Sequence, residues 1–368
     1  MNTADDLKYM ARALRLAARG LYTTDPNPRV GCVLVKDGQV IGEGWHEFAG
    51  GPHAEINALE QAGSEAADST AYVTLEPCCH QGRTPPCTGA LIRAGVQRVV
   101  FAMQDPNPRV AGEGAGLLQA AGITVESGIL ADAAVRLNPG FERRMHSGRP
   151  WVRCKLAMSL DGRTAMSSGE SQWITGSAAR ADVHRLRARS SAILTGIGTV
   201  LADDPSLTAR LEGVDAADIK QPLRVVLDSR LRLPATARLL GLPGETLIFT
   251  GEGTTVKPDF ESNAVSVVRV PLTSGQLDLA AVLQHLGSLE INEVHVEAGA
   301  TLSGALLQAG LVDELLIYMA PHLMGDAARG LFALPGLEHM EDRIQLVISD
   351  VRAVGQDWRI TATVKQNT

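Results

Sequence analysis

Gly50-Gly51-Pro52-His53-Ala54-Glu55 and, further on, Glu76-Pro77-Cys78-Cys79-His80-Gln81-Gly82-Arg83-Thr84-Pro85-Pro86-Cys87 form the stretch around which the chain is organised. Apolar spacing predicts a helix from His53 to Ala62, with His53 in its first turn, and a short buried strand from Ala71 to Leu75. Pro86-Cys87 opens another helix that continues through Ile92 and stops at Gly95. The cysteines thus fall at a strand end and a helix start. Residues two apart face different sides of a helix, so His53 and Glu55 can serve one site only from its end.

The same alternation extends in both directions. Leu7, Met10, Ala11, Leu14, Ala17 and Ala18 recur at helical spacing, with Thr3 and Asp6 as caps and Gly20 as the stop. Two prolines in Asp25-Pro26-Asn27-Pro28 force an extended loop before the apolar run Val30 to Val35. Asp37-Gly38 then signals a hairpin into Val40-Ile41-Gly42. Asn27 is an amide on a stiff loop, open to a site role or to an Asx turn. A strand at Val96 to Met103, a helix at Glu113 to Ala121, a strand at Ile123 to Glu126 and a helix near Ala131 to Leu137 complete a layered α/β domain with helices on both faces. Phe141 to Pro150 reads as basic and then turn-like, which places the domain boundary between residues 146 and 147.

The second half restarts with a strand from Trp151 to Met158. Strands follow at Ala192 to Leu194, Arg224 to Leu227, Thr246 to Phe249, Val265 to Val270, Glu293 to Glu297 and Glu314 to Met319. Helices fall around Ala178 to Ala188, Leu279 to Leu286 and Leu302 to Gln308. The runs Ile344 to Val351 and Trp358 to Val364 predict an antiparallel hairpin that finishes a mostly parallel sheet. No internal repeat and no low-complexity segment is read.

At 368 residues two domains are favoured over one core. An aromatic share of 4% removes the usual stacking platform for single-stranded nucleic acid. A net charge of -7 makes the chain a poor general binder of phosphate polymers, while leaving room for a local phosphate pocket. Met1 to Leu7 lacks the apolar core of a signal peptide, and no run approaches the ~18 apolar residues of a membrane span. A cytoplasmic location is expected. Five cysteines without a secretion signal argue against a disulfide framework, and three of them, Cys78, Cys79 and Cys87, crowd into ten residues as in a metal site. Cys32 and Cys154 lie in apolar strands as core residues.

A histidine, a glutamate two residues on, and a proline followed by cysteines are the signature of a hydrolytic zinc deaminase. His53, Cys78 and Cys87 would supply three zinc ligands and leave a fourth position for water, with Glu55 moving protons. The alternative is a closed structural site of Cys78, Cys79, His80 and Cys87, which leaves His53-Ala54-Glu55 unexplained. Three functions are therefore weighed: a small-molecule deaminase, a nucleic-acid-editing deaminase with an accessory domain, and a binding module with structural zinc.

The whole chain resembles the bifunctional deaminase-reductase family of bacterial riboflavin biosynthesis. The wide gap between Cys78 and Cys87, Asn27-Pro28 and Gly44-Trp45-His46 carry the resemblance. It implies a cytidine-deaminase-like three-layer α/β/α domain followed by a dihydrofolate-reductase-like α/β domain. The implied chemistry is deamination of 2,5-diamino-6-(5-phosphoribosylamino)pyrimidin-4(3H)-one, then NADPH-dependent reduction of the ribosyl group to ribityl. It further implies that Asn27, His46 and His80 line the deaminase pocket. Ala157, Trp173, Thr199, Asp203 and the run Gly299, Ala300, Thr301, Leu302, Ser303, Gly304 and Ala305 would contact the cofactor. Ser171, Arg187, Leu207, Arg210, Ser229 and Glu297 would face the reductase substrate.

Spacing alone says less about the second half. Thr195-Gly196-Ile197-Gly198-Thr199 and the strand-glycine-helix junction at His295 to Gly304 suit a phosphate on backbone N–H groups, or are ordinary turns. Lys155, Asp203 and Glu297 are the ionisable candidates for proton work, with a structural ion pair between Lys155 and Glu297 as the alternative. Symmetric association is common among such enzymes, so a homodimer or higher homo-oligomer is expected.

Overall fold

The computed structural model describes residues 4–80, 85–108, 110–255, 260 and 264–365. Thr3, expected as a cap, and Gly82-Arg83-Thr84 lie outside them. Contacts divide the chain into two compact units, Met1–Gly148 and Arg149–Thr368.

The first unit begins with α1 (Ala4–Ala17), followed by a hairpin of β1 (Gly31–Lys36) and β2 (Gln39–Trp45). Its turn residues Asp37 and Gly38 both take positive φ, as the Asp-Gly pair favours. Then come α2 (Ala54–Ala62), β3 (Thr70–Leu75), α3 (Cys87–Arg93), β4 (Arg98–Met103), α4 (Glu113–Ala120), β5 (Thr124–Ser127), α5 (Ala131–Leu137) and α6 (Pro139–Ser147). Among the described residues the sheet runs β2-β1-β3-β4-β5, parallel from β3 to β5. Alternation along β1 sends Cys32 and Leu34 to a core shared with Ala54 and Ala58 of α2, Leu91 of α3 and Leu118 of α4. Val33 and Val35 face the other layer, with Met10 and Ala13 of α1, Ala134 of α5 and Phe141 of α6.

Both layers rest on glycine. A Cβ on Gly31 would lie 2.1 Å from the Ala13 carbonyl oxygen of α1. On Gly42 and Gly44 it would lie 2.3 Å from the carbonyl oxygens of Ala58 and Ala54 in α2. Backbone packs on backbone there, so no side chain fits and the height of α2 above β2 is set. One expectation is corrected here. Phe141 to Pro150 is not turn-like throughout but helical as far as Ser147, with Pro139 in the first turn and Gly148 closing the helix at φ 70.

The second unit contains β6 (Trp151–Ser159), β7 (Arg163–Ala165), α7 (Ser177–Arg189), β8 (Ala192–Gly196), α8 (Ile197–Asp203), β9 (Leu223–Leu227), β10 (Thr246–Gly251), β11 (Val265–Val270), β12 (Leu272–Thr273), β13 (Gln276–Leu277), α9 (Leu279–Ser288), β14 (Glu293–Glu297), α10 (Ala300–Gln308), β15 (Glu314–Ala320), β16 (Arg329–Gly330), β17 (Leu346–Val354) and β18 (Asp357–Val364). Its main sheet runs β11-β10-β9-β8-β14-β6-β15-β18-β17. β11 to β15 are parallel, and β18 and β17 close the sheet as the expected antiparallel hairpin. The chain lays β8 to β11 outward, returns through α9, and inserts β14 between β8 and β6. Open parallel sheets bind ligands where the strand order reverses, outside the carboxyl ends of the strands. Here those ends belong to β8, β14 and β6.

Candidate functional site

His53 has extended backbone, φ -77 and ψ 162, and stands as the N-cap of α2, one step earlier than the first-turn position expected. Its Nδ1 lies 3.2 Å from Cys87 Sγ and 3.5 Å from Cys78 Sγ, and the three donor atoms lie within 4.8 Å of one another. A tetrahedral zinc with bonds of about 2.0 to 2.3 Å sets ligand-to-ligand edges of about 3.5 to 3.8 Å, so the set fits the ion. The donors come from three places: the start of α2, the loop after β3 and the first residue of α3.

Hydrogen bonds from Cys87, from His53 and from the Cys87 backbone N–H hold the Cys78 thiol down at about 4. Cys87, hydrogen-bonded to that sulfur and buried, moves the opposite way. Glu55 is buried within hydrogen-bond reach of Cys87, and burial together with the Cys78 charge pushes its carboxyl up to about 7. Cys79 is half-buried outside the cluster, and His80 is exposed. Cys79→Ser is accordingly expected to retain the full zinc content in metal analysis. Loss of zinc on that change alone would put Cys79 among the ligands.

Asn27 and His46 meet beside this centre. A carbonyl can only accept, so His46 Nδ1–H donates to the Pro52 oxygen at 2.9 Å, leaving Nε2 to accept from Asn27 Nδ2 at 3.0 Å. Burial lowers the His46 pKa, which keeps the ring in this neutral form. Its centroid lies 5.4 Å from that of His53, edge to face.

Two buried carboxylates next to the cysteines were not singled out from the sequence. Glu76 accepts from the backbone N–H groups of Asp105, Gly112 and Ala115 at 3.3, 3.0 and 3.0 Å, tying the loop after β4 to Pro77-Cys78. Burial pushes Asp105 up to about 6. A signal existed: Asp25-Pro26-Asn27-Pro28-Arg29-Val30 recurs as Asp105-Pro106-Asn107-Pro108-Arg109-Val110, so the reading of no internal repeat is corrected at this scale.

In the second unit, strand register sets Lys155 beside Glu297. The ion pair at Glu297 is made by Arg187 of α7, with Nε to Oε1 at 2.5 Å and Nη2 to Oε2 at 2.8 Å. Arg187 Nη1 donates to the Thr208 carbonyl at 3.0 Å. Burial opposes the charge on Glu297, yet Arg187 holds it well below the usual carboxylate range. Burial lowers Lys155. Arg210 Nη2 lies 3.1 Å from His184 Nε2, and burial with the charges of Arg187 and Arg210 pushes His184 down to about 4.

The two glycine junctions come together at the carboxyl ends of β8 and β14. Thr195 Oγ1 donates to the Glu297 carbonyl at 2.7 Å, and a Cβ on Gly196 would lie 3.3 Å from Leu302 Cδ2. Ile197 to Asp203 is a helix rather than a continued turn, with Thr199 in its first turn and Asp203 exposed at its end. Gly299 caps α10, and Ala300 and Thr301 open it; Ser303 and Gly304 are buried, and Ala305 is half-buried. Gly304 has a packing reason, since a Cβ there would lie 2.1 Å from the Ala333 carbonyl oxygen. Ala157 packs against the Val183 and Tyr318 cluster. Leu207 is buried at φ 47, and the Ser229 carbonyl accepts from Gly251 N at 3.2 Å. Ser171 is half-buried, whereas Trp173 is 72% exposed with the Arg180 guanidinium 4.8 Å from its ring centroid.

Fold and site together define a zinc-type deaminase module followed on one chain by an α/β unit whose parallel sheet reverses its strand order at β14. Residues 3–103 match the zinc-binding region of cytidine and deoxycytidylate deaminases, and residues 150–360 match the RibD C-terminal domain. The riboflavin biosynthesis protein RibD of Escherichia coli (strain K12) is 54% identical over 361 residues, covering 96% of this chain and 97% of that protein. An Acinetobacter baumannii RibD structure, form 1, has a TM-score of 0.93 at 49% identity, covering 98% of this chain and 99% of that one. A Thermotoga maritima structure, described as a diaminohydroxyphosphoribosylaminopyrimidine deaminase/5-amino-6-(5-phosphoribosylamino)uracil reductase, has a TM-score of 0.86 at 32% identity, with coverage of 98% and 99%. The chain belongs to the RibD family of riboflavin biosynthesis proteins and is a bifunctional deaminase and reductase. Its fold is cytidine-deaminase-like and then dihydrofolate-reductase-like. Matches over both halves do not favour nucleic-acid editing. No described helix is long and apolar enough to cross a membrane.

Proposed function

We propose that residues 1–146 remove the 2-amino group of 2,5-diamino-6-(5-phosphoribosylamino)pyrimidin-4(3H)-one by zinc-dependent hydrolysis. Residues 147–368 then reduce the ribosyl group of the product to ribityl with NADPH. The observation that carries this reading is the convergence of His53 Nδ1, Cys78 and Cys87 beside a buried Glu55.

His53, Cys78 and Cys87 would hold zinc, which when bound would supply a water molecule acidified toward a pKa of about 7. Glu55 takes one proton from that water on its carboxylate and gives it to a ring nitrogen, then carries the remaining hydroxyl proton to the departing amine, which leaves as ammonia. The oxygen adds at the pyrimidine C2 and ammonia leaves. A carboxyl raised to about 7 suits both accepting and donating near neutral pH. Asn27 and His46, with His80, hold the pyrimidine.

In the second unit NADPH would supply the hydride. Ala157, Trp173, Thr199, Asp203 and Gly299 to Ala305 would hold it, the N–H groups at the start of α10 being suited to a phosphate. Ser171, Leu207, Ser229 and the Arg187–Glu297 pair orient the substrate, and exposed Arg210 meets its phosphate. Lys155 gives a proton to the sugar ring oxygen as the ring opens, a role its lowered pKa supports. The partner is a small phosphorylated pyrimidine nucleotide and not a nucleic acid, in keeping with the net charge of -7. The protein works in the cytoplasm as a homodimer or higher homo-oligomer.

The test is the full chain with the diaminopyrimidine nucleotide: ammonia release, then NADPH oxidation. NADPH oxidation without prior ammonia release would overturn the order of the two steps.

A further inference from the structure

We infer that Asp357 is a positioning residue of the reductase site, through which the β17–β18 hairpin seats α7 and the Ser171–Trp173 loop before it. Helix α7 starts on Gly176, which has no side chain of its own to cap the first turn. Asp357, the first residue of β18 and 3% exposed, supplies the acceptor from outside: Gly176 N donates to its Oδ2 at 2.8 Å. A carboxylate at a helix start is stabilised by the free N–H groups and the dipole there. The adjoining hairpin turn presses on the same place, since a Cβ on Gly355 would lie 2.7 Å from the Ala178 Cβ. One turn further along α7, Arg359 of β18 pairs with Asp182 at 2.7 Å, and Tyr318 Oη donates to the same oxygen at 2.6 Å. The hairpin therefore grips α7 at two points.

What α7 carries makes that grip matter. Arg180 donates to the Thr175 carbonyl at 2.7 Å and lies over the ring of Trp173. Trp173, exposed to solvent, has its orientation set by this guanidinium. Two turns on, Arg187 holds Glu297. A shift of α7 along its axis moves the indole and the Glu297 clamp together. Among the described residues the hydrogen bond of the Asp357 carboxylate goes to Gly176, not to a residue proposed to contact substrate or cofactor, so its effect passes through Gly176.

The inference rests on the reading that Trp173 contacts the cofactor, and the experiment separates the two. Asp357→Ala is expected to raise the KM for NADPH about tenfold while kcat stays within about twofold, the loss of one charge-assisted hydrogen bond. Deamination by the same preparation should be unchanged. Asp357→Asn keeps an oxygen for Gly176 N and should restore a near-normal KM. Trp173→Ala should raise the KM on its own. An unchanged KM in Asp357→Ala beside a raised one in Trp173→Ala overturns the positioning role, as does an Asn variant no better than Ala. An unchanged KM in Trp173→Ala overturns the cofactor reading and the inference with it.

Discussion

Glu55→Gln is expected to keep its zinc and lose deamination by about three orders of magnitude, within the ~10²- to 10⁴-fold range of general acid–base catalysis. The amide has the shape of the carboxyl and can still meet the Cys87 side chain, so the arrangement of His53, Cys78 and Cys87 should persist. What it lacks is a site that takes a proton from water and gives it up again. The readouts are metal content, ammonia release and NADPH oxidation. Supplied with the deaminated nucleotide, the variant should oxidise NADPH at the normal rate. Near-normal ammonia release would remove Glu55 from the proton transfers. Loss of zinc instead would show that it supports the ligands.

Gly44→Val should be nearly as damaging to the first activity, although Gly44 touches neither metal nor substrate. The new Cβ would meet the Ala54 carbonyl oxygen at 2.3 Å and the Ala58 nitrogen at 2.6 Å, and helix backbone cannot yield as a side-chain tip can. The helix must rise from β2, taking with it His53 at its cap and Glu55 in its first turn. Cys78 and Cys87 stand on other elements and stay behind. A misplacement of about 1 Å is enough for a hundredfold loss, and overpacking adds about 1 to 3 kcal/mol of destabilisation. Zinc content and ammonia release should both fall while NADPH oxidation survives. A variant with full zinc and normal turnover would show that α2 has slack over β2.

The metal centre was legible because its chemistry restricts the residue types: two cysteines, a histidine and a glutamate are rarely spaced this way by chance. The strand alternation of both units was equally plain from apolar periodicity. Less was visible where a residue acts by contact across the fold. Nothing near Arg187 announces that its guanidinium grips Glu297, because only the folded chain brings the end of α7 to the carboxyl end of β14. Lys155, adjacent to Glu297 in register, was the nearer expectation. The helix Ile197–Asp203 was hidden by Gly196, Gly198 and three β-branched residues, all weak helix formers. Gly304 looked like part of a phosphate turn, yet it is small because Ala333 lies against it. Glu76 and Asp105 were overlooked because a buried carboxylate satisfied by backbone N–H groups has no pattern in composition or period.

The insertion of β14 between β8 and β6 also bears on how the chain acquires its shape. Strand β6, at residues 151–159, finds both neighbours only when residues 293–297 and 314–320 exist. In the first unit, by contrast, β1 pairs with the hairpin partner that follows it directly, and β3, β4 and β5 add in order. Long-range parallel pairing is slow because loop closure comes before the contacts that reward it. During synthesis the metal-binding half can therefore complete its sheet while the second half still exposes open strand edges. Chains halted before Glu293 should carry a finished amino-terminal unit on an aggregation-prone remainder.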